Sequence, residues 1–212
     1  MTPARLALAA AVIGGVSYIA SWHLGLGEAA SLAWKGSGVG LLAVYAALKA
    51  RSRDGWLICA VMAFGAAGDV LLGAAGMTVG AAAFLVGHLI AIWLYATNRR
   101  PVTTLSQRIL AILLVPATVA IAWLLPADRA GAAPVALYAL GLSAMAAFAW
   151  LSRFPRYWVG AGALAFVISD LLIFARSGPL EGQAWVGYAI WILYFGGQLM
   201  IVLGVTRTLE KN

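Results

Sequence analysis

Four ionisable side chains stand inside long apolar runs: Lys35, Asp69, His88 and Asp170. An ionisable group at a bilayer centre costs about 3 kcal/mol or more, so such a group marks functional chemistry by default. Asp69 and Asp170 each fall about fifteen residues into a run, roughly 20 Å of helix from its start, which places them at similar depth. Two carboxyls in a poorly solvated setting can share one proton, so that one site offers an acid and a base together. The competing reading is that each Asp only bonds a neighbouring helix. Around Asp69 the residues are small: Gly65, Ala66, Gly68 and Gly73. Small residues let helices approach closely, so that face is expected to point inward.

Lys35 can pair an anionic headgroup, pair one of the aspartates, or snorkel to the interface. His88 follows Gly87 and can relay a proton, donate to a substrate, ligate a metal, or stay neutral on a backbone carbonyl. Gln198, beside Gly197, is a substrate hydrogen-bonder or interhelical glue. Arg176, about two turns beyond Asp170, is a second candidate phosphate contact or a rim charge. Asp, Asp and His lack diagnostic ligand spacing, so neither a metal nor another cofactor is expected.

The elements that must hold these groups are membrane helices. The chain of 212 residues is 64% hydrophobic and 10% charged, where a soluble domain is about half apolar and about a quarter charged. The apolar runs are continuous rather than alternating, which favours helices over barrel strands. About eight spans are expected, near 5–23, 31–49, 55–74, 78–98, 105–125, 132–152, 157–176 and 184–206. Residues 1–212 are read as a single transmembrane domain of all-α class, a polytopic helical bundle. The first run is read as a retained helix rather than a signal peptide.

The formal charge is +7, but the basic residues sit in short loops, so nucleic acid is not an expected partner. Arg5, Lys49, Arg51, Arg53, Arg99, Arg100, Arg108, Arg153, Arg156, Arg207 and Lys211 fall on one side, and the opposite loops hold only Arg129 and Arg176. The positive-inside rule then puts both termini in the cytoplasm. Trp22, Trp56, Trp123, Trp158 and Trp185 lie near span ends, as interface anchors do. Cys59 is the only cysteine and reads as a packed thiol.

Gly68-Asp69-Val70-Leu71-Leu72 in the third span is echoed by Ser169-Asp170-Leu171-Leu172-Ile173 in the seventh. Gly87-His88-Leu89 is echoed by Gly197-Gln198-Leu199. The layout reads as two parallel four-helix repeats, with chance recurrence in an Ala/Leu/Gly-rich chain as the alternative. No phosphate-binding glycine loop, Cys/His zinc pattern or Gly-x-Ser-x-Gly elbow is present, which disfavours nucleotide hydrolysis and serine chemistry.

The order of Lys35, Gly68-Asp69-Val70-Leu71-Leu72, Phe84-Leu85-Val86-Gly87-His88 and Phe166-Val167-Ile168-Ser169-Asp170 resembles the lysoplasmalogenase-like (YhhN-type) family of membrane proteins. It departs from the family pattern at Gly36, where Pro is frequent, and at Ala91, where Tyr is frequent. The resemblance implies hydrolysis of the vinyl ether bond of lysoplasmalogens, to a fatty aldehyde and a glycerophospho-ethanolamine or -choline. It implies Asp69 and Asp170 as catalytic residues, with Lys35, joined by Arg176, on the phosphate and His88 orienting substrate or water; Gln198 is kept as a substrate-binding candidate from its position alone. The expected partners are a lysophospholipid and the surrounding lipids, with no obligate protein partner, in a bacterial inner membrane. The alternative is a proton- or cation-coupled transporter using the same aspartates, for which Pro116 and Gly196-Gly197 are the candidate helix breaks.

Overall fold

The computed structural model describes residues 2–211. Eight helices follow one another: α1 (Pro3–Ser21), α2 (Glu28–Lys49), α3 (Arg53–Ala74), α4 (Met77–Thr97), α5 (Leu105–Leu124), α6 (Ala132–Leu151), α7 (Ala161–Ala175) and α8 (Ala184–Leu209). All eight are long and apolar enough to cross a membrane, α6 and α7 counted with the short turns that precede them. The chain is an integral membrane protein of the all-α class, and each helix starts and stops within a few residues of its expected span. The expected anchors Trp22, Trp56, Trp123, Trp158 and Trp185 are all exposed near helix ends.

Local chemistry sets the helix starts. The Ser52 hydroxyl accepts the Gly55 N–H at 3.3 Å and caps α3, satisfying a donor that has no intrahelical partner. Thr104 and Gln107 form a reciprocal capping box at the start of α5,. Before α7, residues 156–160 wind as a π turn, and Pro155 removes the N–H that would otherwise extend the ladder backwards.

Neither candidate helix break is one. Pro116 lies inside the continuous α5, as proline is tolerated in membrane helices. Gly196 and Gly197 lie inside the continuous α8. Gly197 serves packing: a Cβ there would come within 2.6 Å of the Gly162 carbonyl oxygen.

The helices form two compact units. One holds residues through Leu94, with the end of α8 from Val205 on, and the other holds Tyr95–Gly204. In the first unit, α2 packs against α1 and α3. The Trp34 indole N–H donates to Ser17 Oγ at 3.0 Å between α2 and α1. The Cys59 thiol donates to the Ala43 carbonyl at 3.4 Å between α3 and α2, so it is engaged locally, as a packed thiol should be. Lys49 pairs with Glu210, and Tyr45 meets Thr206 at 3.4 Å; both tie the end of α8 to α2.

In the second unit, α5–α6 and α6–α7 are antiparallel hairpins. The residues between α4 and α5 are clamped to the α6–α7 connector by polar contacts. Arg153 donates through its backbone N–H to the Asn98 carbonyl at 2.7 Å and through Nε to Asn98 Oδ1 at 2.6 Å. Arg100 donates to the Phe154 carbonyl at 3.1 Å. Several of the basic residues that mark this side thus also satisfy connector carbonyls, which have no ladder partner of their own.

Candidate functional site

In the first unit the approach of α2 to α3 is set by glycine. A Cβ on Gly36 would meet Val70 Cγ2 at 2.7 Å, so only a bare Cα lets these two turns touch. The residues before them, Lys35 and Asp69, are thereby brought together: Lys35 Nζ lies 3.8 Å from Asp69 Oδ1. That separation is beyond hydrogen-bond length and within range of a strong charge pair. The Asp69 side chain is 3% exposed and that of Lys35 is 21% exposed. The carboxylate is thus buried and the ammonium reaches it from a partly open position. Of the readings open for Lys35, pairing with an aspartate is the one observed.

The turn of α3 that bears Asp69 packs on α4 through Gly68. A Cβ on Gly68 would fall 2.6 Å from the Phe84 ring, so glycine here lets the ring lie flat against the turn that bears the carboxylate. One turn further along α4, Gly87 faces Phe64 and the Val61 carbonyl. His88, next to it, is buried. Lys35 and Asp69 are thus paired between α2 and α3, while His88 lies beside Gly87, at the level of Val61 and Phe64 of α3.

In the second unit Asp170 is buried. The Tyr138 hydroxyl donates to Asp170 Oδ2 at 2.6 Å, a length typical of a hydroxyl on a carboxylate. One turn beyond Asp170, the Phe174 ring packs edge-on against Tyr138, with centroids 5.9 Å apart, and holds the phenol in place. On the α8 side, Ser169 Oγ donates to the Ile190 carbonyl at 3.0 Å.

Tyr138 was not among the residues singled out from sequence. A signal for it existed. Tyr138 and Asp170 are each sixteen residues from Phe154 in the α6–α7 connector, and antiparallel helices place residues equidistant from their connector at equal depth. A mid-span tyrosine at that position is the natural donor for the aspartate.

Gln198 and Arg176 fall outside this cluster. Gln198 is eight residues past Ile190 on α8, about 12 Å further along the helix. It is 2% exposed, and its Oε1 has no hydrogen-bond partner among the described residues. Between the two levels lies a belt of rings: Phe166 against Tyr194 at 5.1 Å, and Trp191 stacked on Phe195 at 6.0 Å. Arg176 is exposed and caps the C-terminus of α7, where a cation complements the helix dipole. No group of three metal-ligating side chains is present among the described residues.

The match to known proteins covers these residues. Residues 30–205 match the YhhN family. The chain belongs to the YhhN family. Lysoplasmalogenases of Mycobacterium bovis and Mycobacterium tuberculosis are each 31% identical to it over 182 residues, covering 81% of this chain and 69% of the relative. No solved structure is significantly similar. The part of this YhhN-family chain that matches begins at the start of α2 and takes in Lys35, Asp69, His88, Tyr138, Asp170, Arg176 and Gln198. The resemblance drawn from the ordered motifs is thus confirmed.

Proposed function

We propose that this chain is a membrane-embedded hydrolase that cleaves the vinyl ether bond of lysoplasmalogens, releasing a fatty aldehyde and glycerophospho-ethanolamine or -choline. The reading is supported by the two mycobacterial relatives named for this activity. The observation that carries it is that each mid-membrane aspartate is buried and met by a polar side chain from the preceding helix, Asp69 by Lys35 and Asp170 by Tyr138. Buried carboxyls held in this way suit acid–base chemistry better than passive structure.

The reaction needs one proton donor and one carboxylate. A proton is transferred to the β-carbon of the enol ether, leaving an oxocarbenium ion at the α-carbon. Water adds to that carbon, and its proton passes to the carboxylate. The hemiacetal then collapses, breaking the bond to the glycerol oxygen and giving aldehyde and alcohol. Asp69 and Asp170 divide these duties, in parallel with the two-carboxylate logic of glycoside hydrolysis.

Lys35 balances the charge of Asp69 and, with Arg176, attracts the lipid phosphate. His88 and Gln198 orient substrate or water. Phe166, Trp191, Tyr194 and Phe195 supply apolar surface for the alkenyl chain. The lipid substrate enters from the bilayer of a bacterial inner membrane, with both chain termini on the cytoplasmic side. Residues 1–212 work as a single transmembrane domain. The continuity of α5 and α8 removes the broken-helix feature that would have favoured a coupled transporter.

The test is aldehyde release from an alkenyl lysophospholipid by the detergent-purified protein, followed by mass spectrometry. Wild type should release aldehyde, and folded Asp69→Asn and Asp170→Asn variants should not. Well-folded wild type that releases none, across headgroups and pH, rules the reading out.

A further inference from the structure

A second feature of the first unit lies on its lipid-facing surface, away from Asp69. Leu57 of α3 and Val86, Leu89, Ile90 and Trp93 of α4 line an open groove of about 420 Å³, and Arg53 stands at one end of it. The spacing explains the groove. Val86, Leu89, Ile90 and Trp93 recur at three- and four-residue steps and so share one face of α4. Arg53 and Leu57 are one turn apart on α3 and share the facing stripe. Val86, Leu89 and Trp93 are all exposed, and helix–helix packing in the unit leaves this face open.

The charged end is as ordered as the apolar part. The Arg53 guanidinium stacks over the Trp93 ring, 5.3 Å from its centroid, and this stacking fixes the cation at the mouth of the groove. No carboxylate of the described residues lies within ion-pair distance of Arg53. Asp54, the next residue, sits in the first turn of α3, where the helix dipole offsets its charge. Arg51 adds a second guanidinium two residues away, with Nη1 held on the Ala50 carbonyl at 2.8 Å. Both cations lie at the α2–α3 connector, which is a membrane-surface position for helices of this length.

We propose that the α3–α4 groove binds one acidic phospholipid of the surrounding bilayer, its phosphate on Arg53 and an acyl chain along Leu57, Val86, Leu89 and Ile90. A lipid is the ligand that brings an apolar chain and an anion together at this spacing. A helix of a second copy would fill the apolar part but leave the guanidinium uncompensated. A lipid with net negative charge gains over a zwitterionic one because no tethered amine competes for the phosphate, and each basic side chain near the surface is worth about fivefold in such attraction. The site is independent of the proposed catalysis and needs neither aspartate.

The experiment is native mass spectrometry of the full chain released from nanodiscs that hold phosphatidylglycerol and phosphatidylcholine with matched acyl chains. Wild type should retain one phosphatidylglycerol in preference to phosphatidylcholine by about fivefold. Arg53→Gln should abolish the preference. Val86→Trp, which keeps the charge and fills the groove, should abolish retention. Arg108→Gln removes an equal exposed charge from the start of α5 and should change nothing. Equal loss in Arg108→Gln and Arg53→Gln would mean a net-charge effect and overturn the site, as would full retention by Val86→Trp. Release as a dimer without bound lipid would overturn it in favour of a second copy.

Discussion

Lys35 Nζ and Asp69 Oδ1 stand 3.8 Å apart across the α2–α3 hairpin, and each residue is seventeen positions from Ser52 in the connector. Equal distance from a connector gives equal depth in antiparallel helices, so the pair follows from hairpin register. The Gly36–Val70 contact then closes the gap to ion-pair range.

Lys35→Met leaves a buried carboxylate without its cation. The expected cost is about 3 kcal/mol, in the range for breaking a buried pair and reduced by the partial exposure of the ammonium. The double variant Lys35→Met/Asp69→Asn should recover much of that loss, because it removes the uncompensated charge as well. A double-mutant cycle by reversible unfolding in detergent measures the coupling; losses that simply add would mean that the two groups do not interact.

Tyr138→Phe removes the hydroxyl on Asp170 and keeps the ring on Phe174. The hydrogen bond to a charged acceptor is worth about 1.5–3 kcal/mol to stability. On the proposed chemistry, kcat should fall about tenfold, the equivalent of about 1.4 kcal/mol of barrier, with KM little changed, because the carboxyl loses its orientation and the substrate loses no contact. A change confined to KM would assign Tyr138 to substrate binding instead.

Gly162 and Gly197 meet through their backbones: a Cβ on either would come within 2.7 Å of the other's carbonyl oxygen. Gly197→Ala should therefore destabilise by about 1–3 kcal/mol through overpacking. Gly196, its neighbour, has nothing within 4 Å of an added Cβ. Gly196→Ala should be neutral or stabilise by up to about 1 kcal/mol, the helix preference for Ala over Gly. Thermal stability of the two variants side by side checks this, and equal effects would contradict the α7–α8 contact.

Gln198→Leu replaces a buried amide whose Oε1 lacks a partner. An unsatisfied buried acceptor costs about 1–3 kcal/mol, so an apolar residue of similar volume should hold or raise stability. If Gln198 contacts the lipid in both ground and transition states, KM rises while kcat holds. Unchanged kinetics together with higher stability would remove Gln198 from the substrate site.

Much of this protein was legible in its sequence, because lipid leaves few choices. A run of about twenty apolar residues in a bilayer must be helical, since no water is there to satisfy the backbone. The eight spans and the suspect positions Lys35, Asp69, His88 and Asp170 follow from that constraint and from the cost of burying charge. The ordered motifs were also enough to indicate the family. What they left open was which group meets which. Lys35 had three possible destinations, and only the Gly36–Val70 packing selected Asp69. Tyr138 carried no charge to draw notice, and only the α6–α7 register made it the donor to Asp170. Pro116 and Gly196-Gly197 resembled breaks because propensity is local, whereas helix continuity in α5 and α8 depends on lipid and on close backbone packing. Composition and periodicity determined the elements; the pairing of polar groups was decided by tertiary contact, where single-residue differences in rotation and depth choose the partner.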